Sequence, residues 1–112
     1  MKGGAAVAKI LKMEGVEFIS GFPANPLIEA AAEEGIRFIK ARTERVGVNI
    51  ADGFTRASNS QRTGVGVIQY GPGVENAFPA IAQAYSDSVP ILLLPAGYVR
   101  RRLAPPQVHC GV

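Results

Sequence analysis

Residues 40–46 read Lys40-Ala41-Arg42-Thr43-Glu44-Arg45-Val46. This stretch follows a short apolar run and precedes a long amphipathic one, so we interpret it as the turn between the carboxyl end of a strand and the amino end of a helix. In an open α/β sheet, ligands bind outside the carboxyl ends of the strands. Glu44 would then occupy the first helical turn, where the helix dipole favours a negative charge. The stretch therefore predicts a ligand-facing edge that carries an acid.

On both sides of this turn, helical and strand patterns alternate four times along the chain. The predicted helices span residues 4–14, 26–34, 43–58 and 76–85, and the predicted strands span residues 16–20, 36–40, 63–70 and 89–94. Asn25 and Thr43 are the predicted caps of the second and third helices. Short apolar strands that alternate with helices predict an α/β fold, in which a parallel sheet lies between two layers of helices.

The residue patterns also predict how two of these elements pack. The third helix carries an apolar stripe that is expected to face the core, formed by Val46, Ile50, Phe54 and Ala57. Gly53 weakens the interior of this helix, so we expect another helix to approach closely there. Residues 89–94 are nearly all apolar, which is typical of a strand that is buried on both faces.

Composition narrows the class of protein. The 112 residues are enough for one domain, and 47% hydrophobic with 19% charged residues is typical of a globular domain. A net charge of +3 without a basic face gives no indication of nucleic-acid binding.

No apolar run approaches the roughly 20 residues that span a bilayer, and residues 1–4 lack a signal-peptide core. A single cysteine, Cys110, cannot form an internal disulfide, so we predict a cytoplasmic location.

Three turns at predicted strand ends are the candidate binding elements. They are residues 21–25, 43–45 and 71–76, and in a parallel sheet they would line one edge. The third turn partly resembles a dinucleotide-binding fingerprint, but Asn76 replaces its last glycine and no acid follows the next strand, so a nicotinamide site is the weaker reading. Taken alone, the glycines could simply form tight turns, and Glu44 could be a solvated partner of the helix dipole.

In combination, these segments resemble the amino-terminal, pyrimidine-binding (Pyr) domain of thiamine-diphosphate-dependent enzymes of the acetolactate synthase and 2-oxo-acid decarboxylase superfamily. The similar segments are Gly21-Phe22-Pro23-Ala24-Asn25, Thr43-Glu44-Arg45, Ala51-Asp52-Gly53-Phe54-Thr55-Arg56-Ala57, Gly71-Pro72-Gly73-Val74-Glu75-Asn76 and Ala84-Tyr85-Ser86-Asp87-Ser88-Val89-Pro90. The resemblance implies the thiamine-diphosphate-binding fold, incomplete at its carboxyl end. Residues 1–97 would form the domain, and residues 98–112 an irregular tail at the start of the missing remainder.

The resemblance also implies which residues form the site. In the family, the acid at the position of Glu44 hydrogen-bonds the ring nitrogen N1′ of the cofactor's aminopyrimidine, so Glu44 is the expected catalytic residue. The expected cofactor-binding residues are Gly21, Pro23, Ala24, Gly71, Pro72, Gly73 and Asn76. The chain departs from the family at Asn25, Thr43 and Arg45, where relatives often carry Gly, His and Gln.

The implied cofactor is thiamine diphosphate, held here by its pyrimidine end only. The family binds the diphosphate and Mg²⁺ on a separate domain with a Gly-Asp-Gly motif. This motif is missing from the chain, in which we expect no metal ligand. We therefore expect the pyrimidine-binding half of a 2-oxo-acid decarboxylase or acetolactate-synthase-like enzyme, as a fragment or split subunit that is not active alone. The alternative is a non-catalytic dimerisation or regulatory domain that no longer binds cofactor.

The expected partners are a second copy of the chain, or a subunit or domain that carries the diphosphate-binding half. Helix faces around Val46 and Ile81 would lack cover, which predicts self-association. In the tail, His109 lies roughly where relatives present a polar side chain to the reactive carbon, although a tail histidine is more often a surface residue. Arg100–Arg102 are most simply a solvated charge run, and nothing near Cys110 would activate its thiol.

Overall fold

The computed structural model of the chain describes residues 2–23 and 25–97. Its elements are α1 (Gly3–Met13), β1 (Phe18–Gly21), α2 (Leu27–Glu33), β2 (Arg37–Lys40), α3 (Glu44–Ala57), β3 (Gly64–Ile68), α4 (Pro72–Ser86) and β4 (Ile91–Pro95). The predicted alternation of four helices and four strands is confirmed, and the ends of the elements differ from the prediction by at most four residues.

The strands form one sheet in the order β2-β1-β3-β4, and every neighbouring pair is parallel. Phe18 of β1 pairs with Arg37 of β2, and Ser20 pairs with Gly66 of β3. The predicted parallel sheet is therefore confirmed. Because β1, β2 and β3 run in the same direction side by side, the three candidate turns follow strand ends at one edge of the sheet.

The helices cover both faces of the sheet, as predicted. Helices α1 and α2 cover one face, and the residues buried there are Ala8, Leu11, Ile19, Leu27, Ala31, Ile36, Val65 and Val67. Helices α3 and α4 cover the other face, where the buried residues are Val48, Ile68, Ala77 and Ala80. Burial of these apolar side chains is the main favourable term for the three-layer fold.

Strand β3 lets α3 lie unusually close to the sheet. All five residues of β3 are buried. Val65 and Val67 pack with the α1 and α2 cluster, whereas Gly64 faces α3. A Cβ at Gly64 would lie only 2.0 Å from the carbonyl oxygen of Ala51. Any side chain at this position would push α3 away, so Gly64 is needed for α3 to pack this close to the sheet.

The buried face of α3 is not the predicted apolar stripe. Val46 is 44% exposed, Ala57 is exposed, and Ile50 and Phe54 are only half-buried. The buried residues are Glu44, Gly47, Val48, Ala51, Asp52 and Thr55. Thr55 shows why a polar side chain can be buried here, because its hydroxyl donates to the carbonyl oxygen of Pro90 (3.1 Å). The prediction was wrong because hydropathy alone does not reveal hydrogen-bond partners that lie elsewhere in the chain.

Two further packing predictions were wrong. Nothing lies within 4 Å of a Cβ added at Gly53, so the described part of the chain makes no close helix contact there. No residue of β4 is fully buried, and Leu92 is 40% exposed. Among the described strands, β4 pairs only with β3 and is an edge strand, whereas the fully buried strand is β3.

Helix α4 begins at Pro72, four residues before the predicted start at Asn76. Proline suits the first helical position because its φ angle is already helical and an N–H there would have no partner. Gly71 precedes the helix with a φ of +59°, a value that side-chain-bearing residues rarely adopt. The earlier start places Gly73 and Asn76 in the first two turns of α4.

Ala24 and residues 98–112 lie outside the described residues. The expectations for Ala24, for the tail with His109 and Cys110, and for a domain boundary at residue 97 therefore stay predictions. None of the helices that the structure describes is long and apolar enough to cross a membrane.

Candidate functional site

The start of α3 is fixed by its capping residue. Thr43 has an extended backbone, and its hydroxyl oxygen accepts a hydrogen bond from the N–H of Val46 (3.3 Å). This satisfies one of the N–H groups that have no partner within the helix. The predicted cap is confirmed, and Glu44 becomes the first residue of the helix, where the dipole favours a carboxylate.

The side chain of Glu44 lies in the interior, between α3 and α4. Glu44 is 7% exposed, and its Oε2 accepts a hydrogen bond of 2.8 Å from Nδ2 of Asn76. Within residues 2–23 and 25–97, Glu44 takes part in no ion pair. The partners of the carboxylate are thus an amide N–H and the amino end of its own helix.

The second carboxylate oxygen of Glu44 lies beside Gly73. A Cβ at Gly73 would come within 3.0 Å of Oε1, and within 2.7 Å of Cβ of Gln69. Any larger residue would therefore press on the carboxylate and on the end of β3. Because position 73 has no side chain, Oε1 can lie close to the backbone of α4 on that side.

The first turn is joined to α3 by backbone contact. Gly21 ends β1, and a Cβ at Gly47 would lie only 2.6 Å from Cα of Gly21. The hydroxyl of Ser20 donates to the carbonyl oxygen of Gly47 (2.7 Å), and the N–H of Ala41 donates to the carbonyl oxygen of Gly21 (2.7 Å). These contacts hold the start of α3 against the end of β1, and they fix the place of Glu44.

Asn25 ties the same turn to two other strands. This residue is 8% exposed, and its Nδ2 donates to the carbonyl oxygens of Ile68 (3.1 Å) and Leu94 (2.9 Å). Its Oδ1 accepts from the N–H of Leu27 (2.9 Å), so Asn25 does satisfy a group at the start of α2, although Pro26 occupies the cap position itself. The cross-strand bonds were not predicted, because their carbonyl partners lie 43 and 69 residues away.

The described site residues therefore fall into three groups. Glu44, Gly73 and Asn76 are in direct contact. Gly21 contacts Gly47, which follows Glu44 by three residues in α3. Pro23 and Gly71 lie in the turns at the same edge, and Pro72 is the first residue of α4. The roles of these residues in binding and catalysis stay predictions.

Another polar cluster joins α3 and α4 at their carboxyl ends. Arg56 bonds Asp52 through Nε (2.9 Å) and Asp87 through a terminal nitrogen (2.8 Å). The hydrogen bonds to Asp52 and then to Asp87 raise the pKa of Arg56. Oδ1 of Asp52 is buried without a hydrogen-bond partner among the described residues. The part of the chain that the structure describes holds no group of three His, Cys, Asp or Glu side chains placed to bind a metal ion.

A cavity of about 440 Å³ lies at the opposite edge of the sheet. Its walls include Phe18 at the start of β1 and Thr63 just before β3. Phe54 and Arg62 line it as well, with the guanidinium carbon 5.2 Å from the centre of the ring. The cavity shares no residue with the expected cofactor site.

The fold is that of an α/β domain in which helix α3 begins with an acid, Glu44, at the edge formed by the carboxyl ends of the strands. The chain belongs to the family described as "Thiamine pyrophosphate enzyme, N-terminal TPP binding domain", which matches residues 1–109. Thiamine pyrophosphate is the same compound as thiamine diphosphate. The expected family and fold are confirmed, and membership supports binding of this cofactor.

Relatives with named activities agree with this assignment. The chain is 40% identical over 97 residues to a probable acetolactate synthase large subunit from Methanocaldococcus jannaschii, a match that covers 84% of this chain and 16% of the relative. It is 42% identical over 95 residues to the acetolactate synthase large subunit of Lactococcus lactis, covering 81% and 16%. A probable 2-ketoarginine decarboxylase of Pseudomonas aeruginosa is 36% identical over 97 residues, covering 84% and 17%.

A solved structure shows the same fold. It is the X-ray structure of a protein from Mycobacterium smegmatis that is described as a thiamin diphosphate-dependent enzyme, with a TM-score of 0.76 at 19% identity. The alignment covers 95% of this chain and 21% of that protein. The chain thus spans about a sixth of the length of the curated relatives and a fifth of this structure.

Proposed function

We propose that the edge of the sheet formed by the carboxyl ends of β1, β2 and β3 binds the aminopyrimidine end of thiamine diphosphate. Glu44 is the residue that contacts ring nitrogen N1′. One observation carries this proposal. Glu44 is 7% exposed, and among the described residues the side-chain hydrogen bond to its carboxylate is made to Oε2, by Asn76. A carboxylate oxygen that has no side-chain donor there is suited to accept a hydrogen bond from a ring N–H.

The start of α4 forms one wall beside Glu44. Gly73 contributes no side chain that would displace Oε1. Pro72 has no N–H, and the N–H groups of Gly73 and Glu75 donate to the carbonyl oxygens of Tyr70 (3.4 Å) and Gly71 (3.2 Å). The features that support a pyrimidine site are therefore the low exposure of Glu44 and its contacts with Gly73 and Asn76.

In this proposal, the chain's own residues orient the cofactor and hold one proton. The cofactor supplies the electron sink for making or breaking the bond next to the carbonyl of a 2-oxo acid. Glu44 shares a proton with N1′, and the low exposure of this residue limits competition from bulk water for that proton. The Gly71–Pro72–Gly73 turn shapes the wall beside the ring.

The substrate class follows from relatives. They include acetolactate synthase large subunits and a probable 2-ketoarginine decarboxylase, so we propose a 2-oxo acid as substrate. Since the chain spans about a sixth of these relatives, we propose that the diphosphate and Mg²⁺ are held by another domain or subunit and that the chain alone is not active.

We also propose that the chain associates with a second copy or with that partner. The exposed fraction is 44% for Val46, 60% for Phe78 and 86% for Tyr85, high values for large apolar side chains. These side chains equally support the second candidate function, a non-catalytic association domain. Light scattering tests the association, which a monomer at moderate concentration would contradict.

A chimaera separates the two candidate functions. Residues 3–97 replace the similar segment of the Lactococcus lactis acetolactate synthase large subunit, and acetolactate formation is measured for the chimaera and for its E44Q variant. The catalytic proposal predicts an active chimaera and a loss of at least about 100-fold in E44Q, since proton-transfer groups typically contribute that much. A folded, cofactor-loaded chimaera without activity, or an E44Q variant with full activity, would contradict the proposal.

A further inference from the structure

We infer that the two carboxylate oxygens of Glu44 have separate tasks, and that Asn76 is the positioning residue that separates them. Asn76 holds Oε2, which leaves Oε1 as the oxygen presented to the ligand. This inference rests on the proposed function, since the ligand is the pyrimidine ring nitrogen.

The hydrogen bond between Asn76 and Glu44 joins two helices. Nδ2 of Asn76 donates to Oε2 over 2.8 Å, and the two residues lie 32 positions apart in the chain. Glu44 is at the first position of α3, and Asn76 is in the second turn of α4. A glutamate side chain has three rotatable bonds, so an anchor on one oxygen restricts the directions in which the other can point.

Gly73 lets the other oxygen lie close to α4. It lies one turn before Asn76 on this helix, and a Cβ there would come within 3.0 Å of Oε1 and displace it. One helix therefore contributes both the donor that engages Oε2 and the residue without a side chain beside Oε1. This arrangement holds Oε2 and leaves Oε1 without a side-chain donor among the described residues.

Two variants of Asn76 test the inference. N76A removes the donor to Oε2, and N76D replaces the amide group with a carboxyl group. E75Q is the matched control, since it changes the adjacent exposed residue of α4.

The readout is NMR of the isotope-labelled, ligand-free chain. It follows the side-chain carboxyl carbon of Glu44 and the backbone amide of Gly73. We expect both signals to differ from wild type in N76A and in N76D, and to match wild type in E75Q. Wild-type positions of both signals in N76A and N76D would overturn the inference.

A second measurement separates this inference from the proposed function. With free 4-amino-5-hydroxymethyl-2-methylpyrimidine as the probe, N76A should bind about tenfold more weakly than wild type, because an unanchored side chain must be ordered on binding. Equal affinity of N76A and wild type would overturn the positioning role. If wild type does not bind the probe, the proposed function fails, whereas the shifted NMR signals of N76A and N76D still support the anchor on Oε2.

Discussion

Gly47 of α3 lies directly against Gly21 of β1, with backbone touching backbone. A Cβ at Gly47 would come within 2.6 Å of Cα of Gly21 and 3.1 Å of its nitrogen. Glu44 lies one helical turn before this contact. The position of the acid over the sheet edge therefore depends on two residues that have no side chain.

The first prediction is that G47A destabilises the fold. The added methyl group meets backbone atoms that cannot move aside without shifting β1, so we expect a loss of about 1–3 kcal/mol in the free energy of unfolding. Urea denaturation monitored by circular dichroism measures this loss.

The matched control is G53A in the same helix. A Cβ at Gly53 meets nothing within 4 Å in the described part of the chain, and alanine is the better helix former by about 1 kcal/mol. G53A should therefore be as stable as wild type or more so. Equal stabilities of G47A and G53A would contradict the close contact at Gly47.

The second prediction concerns Asn25, which links the first turn to β4 and α2. N25A removes the side-chain partners of two groups, the carbonyl oxygen of Leu94 and the N–H of Leu27. The carbonyl oxygen of Ile68 keeps a partner, because it also accepts from the N–H of Ala96 (2.8 Å). Unsatisfied buried groups of this kind cost roughly 2–3 kcal/mol in total, which thermal and urea unfolding would detect.

N49A is the control for this prediction. Asn49 is an exposed residue of α3, and a surface substitution of this kind usually changes stability by less than about 0.5 kcal/mol. If N25A and N49A unfold at the same urea concentration, the cross-strand hydrogen bonds of Asn25 do not stabilise the fold.

The third prediction is that T43A weakens the start of α3. The hydroxyl of Thr43 satisfies the N–H of Val46, and loss of a capping side chain typically costs about 1 kcal/mol. T63A is the control, because Thr63 is an exposed threonine in the loop before β3. Urea unfolding should separate the two variants, and a stability of T43A equal to that of T63A would show that the cap contributes nothing.

Much of the architecture could be predicted from local patterns. The alternation of elements and the cap at Thr43 depend on neighbouring residues, and both are present in the structure. The carboxyl ends of the strands meet at one edge of the sheet because the strands are parallel. Parallel strands are the usual arrangement when helices and strands alternate along the chain. The order of helices and strands and the Thr43 cap could therefore be predicted from near neighbours.

Contacts between distant segments could not be predicted in the same way. Periodicity placed Val46 in the core and gave no reason to bury Asp52, yet Val46 is 44% exposed and Asp52 is 3% exposed. Asp52 is buried beside Arg56, which also reaches Asp87 of the segment after α4. Gly53 was expected to lie close to another helix, whereas the close contact of α3 in this region is the one that Gly47 makes with β1. Both glycines weaken a helix equally, so only the position of β1 distinguishes them.

The central claim is that the carboxyl group of Glu44 binds the pyrimidine ring. The most direct test is an NMR titration of the chain and of its E44Q variant with free 4-amino-5-hydroxymethyl-2-methylpyrimidine. We predict that the amides of Gly73 and Asn76 shift in wild type, and that E44Q binds roughly 10- to 100-fold more weakly, as expected for loss of a charge-assisted hydrogen bond. Equal binding by the two proteins, or shifts confined to the opposite edge around Phe18 and Phe54, would contradict the claim.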